Sequence, residues 1–300
     1  MAGSLASGDR GAQRPLTTRP ATPADAPTLE AINLAADSVP DAVAATPAMP
    51  GDQLAYLLSL IERGPVIVAE DGEVAVGFAA AVDTRRARHL ADLFVRPERQ
   101  GLGVGRRLLD EVFEDVWPRT TFASDDPRAL PLYVRAGMGA HWPNLYLVGD
   151  PTRLPPIQAG LTVAPAPLEL VAVLESTWAG VDRRPELAYW GSLPEVRPVV
   201  VRHGDRVVGT GLSRRRRSAP GRWVHQAVAA PDVEAGPVLL ALMADGLAGG
   251  PVGGACVPGP AAILAPLLEA GFRILDRDTF MASDPGVVDP TRELMDTGAA

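Results

Sequence analysis

Residues 93 to 109 read Leu-Phe-Val-Arg-Pro-Glu-Arg-Gln-Gly-Leu-Gly-Val-Gly-Arg-Arg-Leu-Leu. An apolar run enters a turn holding Gly101, Gly103 and Gly105, and the turn opens a helix. Glycines remove side chains where backbone amides must approach a ligand closely, and a helix start adds unpaired N–H donors and a positive dipole end. The pattern describes a cradle for an anion, most naturally a pyrophosphate. Arg99, Arg106 and Arg107 raise the local positive potential, although solvated helix arginines read the same way. Two familiar phosphate loops do not fit. Arg106 stands where the third glycine of a dinucleotide G-x-G-x-x-G counted from Gly101 belongs, and no Gly-Lys-Ser/Thr closes the loop as in a P-loop.

The elements that must hold this turn follow from apolar spacing. Residues 24–36 read as a helix capped by Thr22 or Asp25, and residues 52–63 as a second. Strands at 66–69 and 74–82 flank the turn Glu70-Asp71-Gly72-Glu73, whose Asp-Gly step is a hairpin signal. A third strand spans 89–95. From 103 to 115, Leu108, Leu109, Val112, Phe113 and Val116 recur at helical spacing, so one face buries against the sheet. A strand at 120–123 and a helix at 128–136, stopped by Gly137, complete an α/β or α+β sandwich.

Landmarks of this half recur in the next. Gly72 and Gly77 match Gly204 and Gly209 at an offset of 132, while Pro97 and Gly137 match Pro231 and Gly271 at 134. Two residues are gained beside the turn Arg214 to Arg217. The second copy supplies a hairpin from 197–202 and 206–212, a strand at 223–228 and a closing helix at 264–272. Its counterpart of the glycine turn is Ala230-Pro231-Asp232-Val233-Glu234-Ala235-Gly236-Pro237, where two acids would repel a pyrophosphate. Leu267 takes the place of Tyr133.

The 300 residues carry 28 basic side chains, all arginine, against 36 acidic ones, a net charge of -8. That balance argues against nucleic acid. Arg214 to Arg217, like Arg85, Arg86 and Arg88, read as solvated hairpin turns without interleaved aromatics. One cysteine, Cys256, and four scattered histidines suggest neither an internal disulfide nor a metal site. No apolar stretch approaches the roughly 20 residues of a membrane span, and no signal-peptide core is visible. A cytoplasmic protein is expected.

The segment Gln100-Gly101-Leu102-Gly103-Val104-Gly105 resembles the coenzyme A signature [QR]-x-x-G-x-[GA] of the GCN5-related N-acetyltransferase (GNAT) superfamily. That family's helix pattern N-x-x-A-x-x-x-Y-x-x-x-G-F resembles residues 126–138, with Asp126 at the usual asparagine and Met138 at the usual phenylalanine. The resemblance spans about residues 18–148. It implies that the backbone of Leu93, Phe94 and Val95 pairs with pantetheine and that Gln100 to Arg106 hold the pyrophosphate. Asp126 would weaken a contact there. Tyr133 would protonate the departing thiolate; the competing reading is that its ring merely packs under the strands. Some members carry a strand carboxylate as general base. Alternation along the strand places Leu93, Ala91 and His89 on one face, which leaves His89 as a candidate base, or as a surface residue, and turns Asp92 to the opposite face. A water chain to backbone carbonyls would need no base. The family's amine pocket falls on the first two helices and their connector, where Asp37, Asp41, Asp52 and Tyr56 could receive a cation or serve as solvated caps.

These readings imply two tandem GNAT-like domains of α/β (α+β) class, each a mixed, mainly antiparallel twisted sheet flanked by helices. Their expected bounds are a tail at 1–16, an acetyl-CoA-binding domain at 17–150, a Pro-rich linker at 151–160, a degenerate copy at 161–284 and a loose tail at 285–300. The resemblance implies acetyl transfer from acetyl-CoA, without a metal, to a primary amine of a small molecule by direct attack through a tetrahedral intermediate. A non-catalytic acyl-CoA scaffold or a longer acyl donor stays open. No nucleic acid or membrane partner is expected, and a homodimer is allowed. The second copy would pair with the first, dimerise or close the pocket, with Trp178, Trp190 and Trp223 as pocket walls or core.

Overall fold

The computed structural model describes residues 16–36, 52–84, 87–180, 182–216 and 221–297. In chain order the first half forms β1 (Leu16–Pro20), α1 (Ala26–Ala36), α2 (Asp52–Arg63), β2 (Val66–Asp71), β3 (Val74–Thr84), β4 (Ala87–Val95), α3 (Val104–Phe113), β5 (Arg119–Ala123), α4 (Ala129–Arg135) and β6 (Gly139–Gly149). The second half forms β7 (Leu161–Pro165), α5 (Leu168–Ala179), α6 (Arg184–Ser192), β8 (Val196–His203), β9 (Arg206–Arg216), β10 (Gly221–Ala229), α7 (Ala235–Gly246), β11 (Val252–Pro258), α8 (Leu264–Glu269) and β12 (Arg273–Ala282). A last short strand, β13 (Glu293–Met295), follows. No helix among the described residues is long and apolar enough to cross a membrane.

Local chemistry explains the elements. Ahead of α1, the Asp25 carboxylate accepts from the Thr22 amide at 2.7 Å and the Thr22 hydroxyl at 2.9 Å, a capping box. Bonds from Arg19, the largest cause, hold that carboxyl well below the usual range. The apolar face of α3 buries Leu108, Leu109, Val112 and Phe113, as its spacing requires. The repeat landmarks are conformational. Gly137 and Gly271 both turn at φ +87° after α4 and α8, a region that favours glycine. Two residues separate β3 from β4 and four separate β9 from β10, which accounts for the change of offset.

The strands join in one path, β1-β2-β3-β4-β5-β12-β6-β11-β10-β9-β8-β7, with β13 added against β10. Among the described residues only β4–β5 and β10–β11 are parallel. Each half thus gives its last strand to the other's sheet: β12 pairs with β5, and β6 pairs with β11. Between them, β6 and β12 run antiparallel with Asn144 opposite Asp278, Leu145 opposite Arg277 and Pro143 opposite Thr279. Asn144 and Asp278 are themselves 134 positions apart (278 − 144), the repeat offset, so the approximate twofold axis passes between them. The cores follow the exchange. Met281 of β12 lies fully buried in the first half's core beside Leu90, Leu109 and Tyr133, while Leu145 and Leu147 of β6 belong to the second half's core.

The segment after Asp284 is not a loose tail. β13 is hydrogen-bonded to β10, and Leu294 and Met295 are buried. Its few apolar residues, Val287, Val288, Leu294 and Met295, are too sparse to show a period, yet they reach a preformed sheet edge. The connector after β6 holds a 3-10 turn at Pro151–Arg153, with Asp150 capping the Thr152 amide at 2.9 Å.

Because β12 fills the first half's core, Met281→Ala should remove about 2–5 kcal/mol of stability in urea unfolding. A loss below about 1 kcal/mol would contradict that packing.

Candidate active site

The parallel pairing of β4 with β5 lasts only from Arg88 to Leu90, opposite Arg119 to Thr121. Beyond it the strands part into a V. A β-bulge begins the separation: Leu90 pairs with Ala81 and Asp92 with Ala80, leaving Ala91 as an extra residue on β4. The bulge shifts side-chain parity, which simple alternation along the strand misses. His89, Asp92 and Phe94 face α1 and α2, opposite Val82, Ala80 and Phe78, whereas Leu90, Leu93 and Val95 face α3. Asp92 therefore shares the face of His89, and Leu93 does not. From Ala91 to Val95 the edge of β4 turned away from β3 carries no strand partner among the described residues.

At the mouth of the V lies the glycine turn. Gly101 and Gly103 adopt φ +76° and +83°, and a Cβ added at either would meet nothing within 4 Å, so space lies open over the turn. Gly105 has another task. A Cβ there would meet Leu132 Cδ2 at 3.4 Å, an ordinary contact, so this glycine lies where α3 packs beside α4. Within α3 the first amide with a carbonyl one turn back is that of Arg107, bonded to Gly103 at 3.1 Å, which leaves the amides of Val104, Gly105 and Arg106 at the open turn. Of the three nearby arginines, Arg99 pairs with Asp71, and Arg107 bonds the Leu16 carbonyl and approaches Glu111 at 3.4 Å. Arg106 is the most exposed of the three, 3.8 Å from Asp110. The site fits a long ligand with an anionic head: donors without carbonyl partners, a Cβ-free surface and an exposed cation.

Gln100 and Asp126 shape this site rather than face a phosphate. Gln100 Nε2 donates to the Val95 carbonyl at 2.9 Å, tying the turn to β4, and its Oε1 accepts from Arg128. Asp126 accepts from the Arg128 amide at 2.8 Å and pairs with its guanidinium at 2.6 Å, bonds that hold the carboxyl below its ordinary range. Arg128 thus links the glycine turn to the start of α4. An exposed arginine at a helix start carries no signature in the sequence that marks this role.

Tyr133 sits on α4 with its ring in the first half's core. Its hydroxyl has no hydrogen-bond partner among the described residues. Burial, and then the negative charges of Asp92, Asp278 and Asp126, raise its pKa well above that of a free phenol, which keeps it a proton donor. Both readings of this residue are therefore compatible with its position. His89 does not suit the role of base. It is 2% exposed where β4 and β5 still pair, its Nδ1 lies 3.0 Å from Thr120 Oγ1, and the Phe122 ring covers it edge-on at 5.8 Å. Tyr56 on α2 meets Tyr189 on α6 at 6.1 Å between ring centroids, so helices of both halves converge over this face. Burial raises its hydroxyl pKa, with Asp92 adding to the effect. Asp37 and Asp41 lie outside the described residues.

The second half opens a matching V, and the chain itself fills it. β10 pairs in parallel with β11 from Gly221 to Val224 and then bulges at His225, the counterpart of Ala91. There β13 pairs with Gln226 to Val228, and the Ala229 amide donates to the Arg292 carbonyl at 3.0 Å. Arg292 also bonds the carbonyls of Ala230 and Val233, at 2.7 Å to the latter, so its guanidinium sits on the loop that replaces the glycine turn. Leu267 is buried where the first half has Tyr133. Trp190 and Trp223 are buried, Trp190 stacked on His225 at 4.7 Å.

Residues 62–137, from the end of α2 to the glycine after α4, match the acetyltransferase (GNAT) domain family. No curated protein sequence matches this chain. Among solved structures, a candidate acetyltransferase from Pyrococcus horikoshii superposes with a TM-score of 0.70 at 16% identity, covering 100% of this chain and 99% of that one. A tandem GNAT protein from the clavulanic acid biosynthesis pathway gives 0.62 at 16% identity, covering 90% and 99%. A GCN5-related N-acetyltransferase from Sphaerobacter thermophilus gives 0.57 at 17% identity, covering 92% and 98%.

Gly103→Arg would place a side chain in the open space above the turn and strain its left-handed backbone. A ligand whose anionic head rests on the turn should lose at least about tenfold in affinity, or 1.4 kcal/mol; calorimetry with acetyl-CoA is the check, and an affinity unchanged by the substitution would contradict the anion-binding reading of the turn.

Proposed function

We propose that this chain, which carries a GNAT domain in its first half and has the tandem GNAT fold throughout, moves an acetyl group from acetyl-CoA to a primary amine of a small molecule. The observation that carries this reading is the V between β4 and β5, with an amide cradle at its mouth and, on the adjoining helix α4, the buried Tyr133, whose hydroxyl feels the charge of Asp92. Amides of Gly101 to Arg106 would receive the pyrophosphate, with Arg106 adding charge. The edge of β4 beyond its pairing with β5, where Gln100 already holds the Val95 carbonyl, would pair with the amides of the pantetheine arm, and a backbone N–H there would polarise the thioester carbonyl. Tyr133 would give its proton to the departing thiolate. Burial that raises the phenol's pKa keeps that proton in place until a strong base forms beside it.

An amine acceptor suits the α1/α2 face of the V. Asp92 approaches closely enough for its charge to act on both Tyr56 and Tyr133, and Asp278 acts on Tyr133 from β12. Carboxylates from both halves therefore act on the tyrosines of this face, a setting that favours a cation. The departure at Asp126 does not speak for a non-catalytic scaffold, because Arg128 engages that carboxylate. The filled V of the second half supports one acetyl-CoA per chain.

Calorimetry with acetyl-CoA should give one site per chain, and coenzyme A release with an amine panel should exceed release without amine. Two sites, or no binding, would contradict the reading. Tyr133→Phe should lower turnover about 10²- to 10⁴-fold while coenzyme affinity stays within twofold of wild type; unchanged turnover would remove Tyr133 from the reaction.

A further inference from the structure

Asp278 comes from the second half, yet it borders the first half's V. Its neighbour Thr279 pairs with Ala123 at the end of β5, beyond the point where β5 has left β4. It shares a sheet face with Phe280, whose ring stacks on Trp142 at 4.5 Å and lies 5.4 Å from Phe122, the ring that covers His89. That face is the one toward which the bulge turns Asp92. Asp278 is held in place: Tyr146 Oη donates to its Oδ2 at 2.6 Å and lies 2.8 Å from Thr297 Oγ1. No protein group among the described residues donates to its Oδ1.

Beside it, directly across the β6–β12 pair, stands Asn144. This side chain is fully buried, and its Nδ2 donates to the Met295 carbonyl at 3.2 Å. Its Oδ1 accepts no hydrogen bond. A buried acceptor left without a donor costs about 1–3 kcal/mol; the Asn144 oxygen is enclosed, so it is the part-exposed carboxylate of Asp278, across the strand pair from it, that calls for a ligand that brings N–H groups. An ammonium ion does so.

We infer that Asp278, supplied by the second half through the exchanged strand, binds the acceptor's ammonium and takes its proton for the reaction in the first half. The inference rests on the acyl-transfer reading above. One proton passes from R–NH₃⁺ to the carboxylate, and the neutral amine attacks the thioester carbon. The C–N bond forms as the carbonyl electrons move to oxygen, and the C–S bond breaks as they return. The thiolate takes the Tyr133 proton, the second N–H proton restores the phenol through water, and Asp278 releases its proton to solvent. The sum is R–NH₃⁺ plus acetyl-CoA giving the acetamide, coenzyme A and H⁺.

The groups facing this carboxyl are Tyr146 and Asn144 on β6, Asp276 on its own strand, Asp125 before α4 (3.6 Å from Arg277), Tyr133 on α4, and Asp296 and Thr297 near the C-terminus. Burial is the main cause that pushes Asp278 up to about 6; Asp276, Asp125 and Asp296 add to it, and the bond from Tyr146 opposes it. A base with that pKa is competent above it, so activity should fall as pH drops through about 6. Removing the Tyr146 donor should raise the pKa and carry the acid limb to higher pH.

The test measures coenzyme A release from acetyl-CoA with 1,4-diaminobutane, ethanolamine and an aminoglycoside as probes. Asp278→Asn should lower kcat/KM for the amine at least 100-fold and abolish the acid limb, with calorimetric acetyl-CoA affinity within twofold. Tyr146→Phe keeps the carboxylate and should retain activity at pH 8 while its limb moves upward. An Asp278→Asn variant within threefold of wild type, an unmoved limb in Tyr146→Phe, or a limb that vanishes only in Asp92→Asn would overturn the inference and leave acyl transfer standing. Bound acetyl-CoA with no release from any probe would overturn both.

Discussion

Placement of β12 between β5 and β6 is the constraint on which the rest of this structure depends. A β-sheet edge presents unpaired amides and carbonyls that must find a partner, and here the partner of each half's inner edge is the other half's last strand. The exchange makes the core of each half incomplete without the other, since Met281 and Leu147 each lie in the core of the opposite half. It also sets Asn144 and Asp278, equivalent positions of the repeat, face to face on the approximate twofold axis. Duplication alone would have given them the same environment. The pair is instead chemically unequal, a carboxylate on β12 opposite an amide on β6.

The same asymmetry separates the two clefts. Both halves bulge at equivalent residues, Ala91 and His225, and both open a V beyond the bulge. In the first, no described strand pairs with β4 beyond Leu90 on the β5 side, and left-handed glycines clear the mouth. In the second, β13 occupies the edge, Arg292 occupies the loop, and a leucine stands for the tyrosine. A backbone segment that satisfies the edge removes the reason for a ligand to do so. The second half instead contributes a strand, a carboxylate and the aromatic contact of Tyr189 with Tyr56.

Much of the site's framework was legible in the residues because it depends on local rules. Glycines that must turn left-handed, the apolar stripe of α3 and the repeated hairpins all follow from steric or periodic requirements within a few positions. The bulge did not show, since nothing in His-Leu-Ala-Asp-Leu marks an extra residue, and alternation then assigned Asp92 to the wrong face. Nor did the exchange. β6 carries Pro143, and β12 carries Arg273, Asp276, Arg277 and Asp278, so neither reads as an alternating strand, and their pairing joins residues more than 130 positions apart. Asp278, Tyr146 and Asn144 could be grouped only once that pairing was known.

A crystal structure of the protein with coenzyme A bound tests the central claim, that one reaction site is built from both halves. The account predicts one coenzyme per chain, lying along β4 with its pyrophosphate at Gly101 to Arg106, its sulfur toward Tyr133, Asp278 bordering the acceptor side, and β13 still seated on β10. Coenzyme along β10 with β13 displaced, or an empty first V at saturating coenzyme, would contradict it.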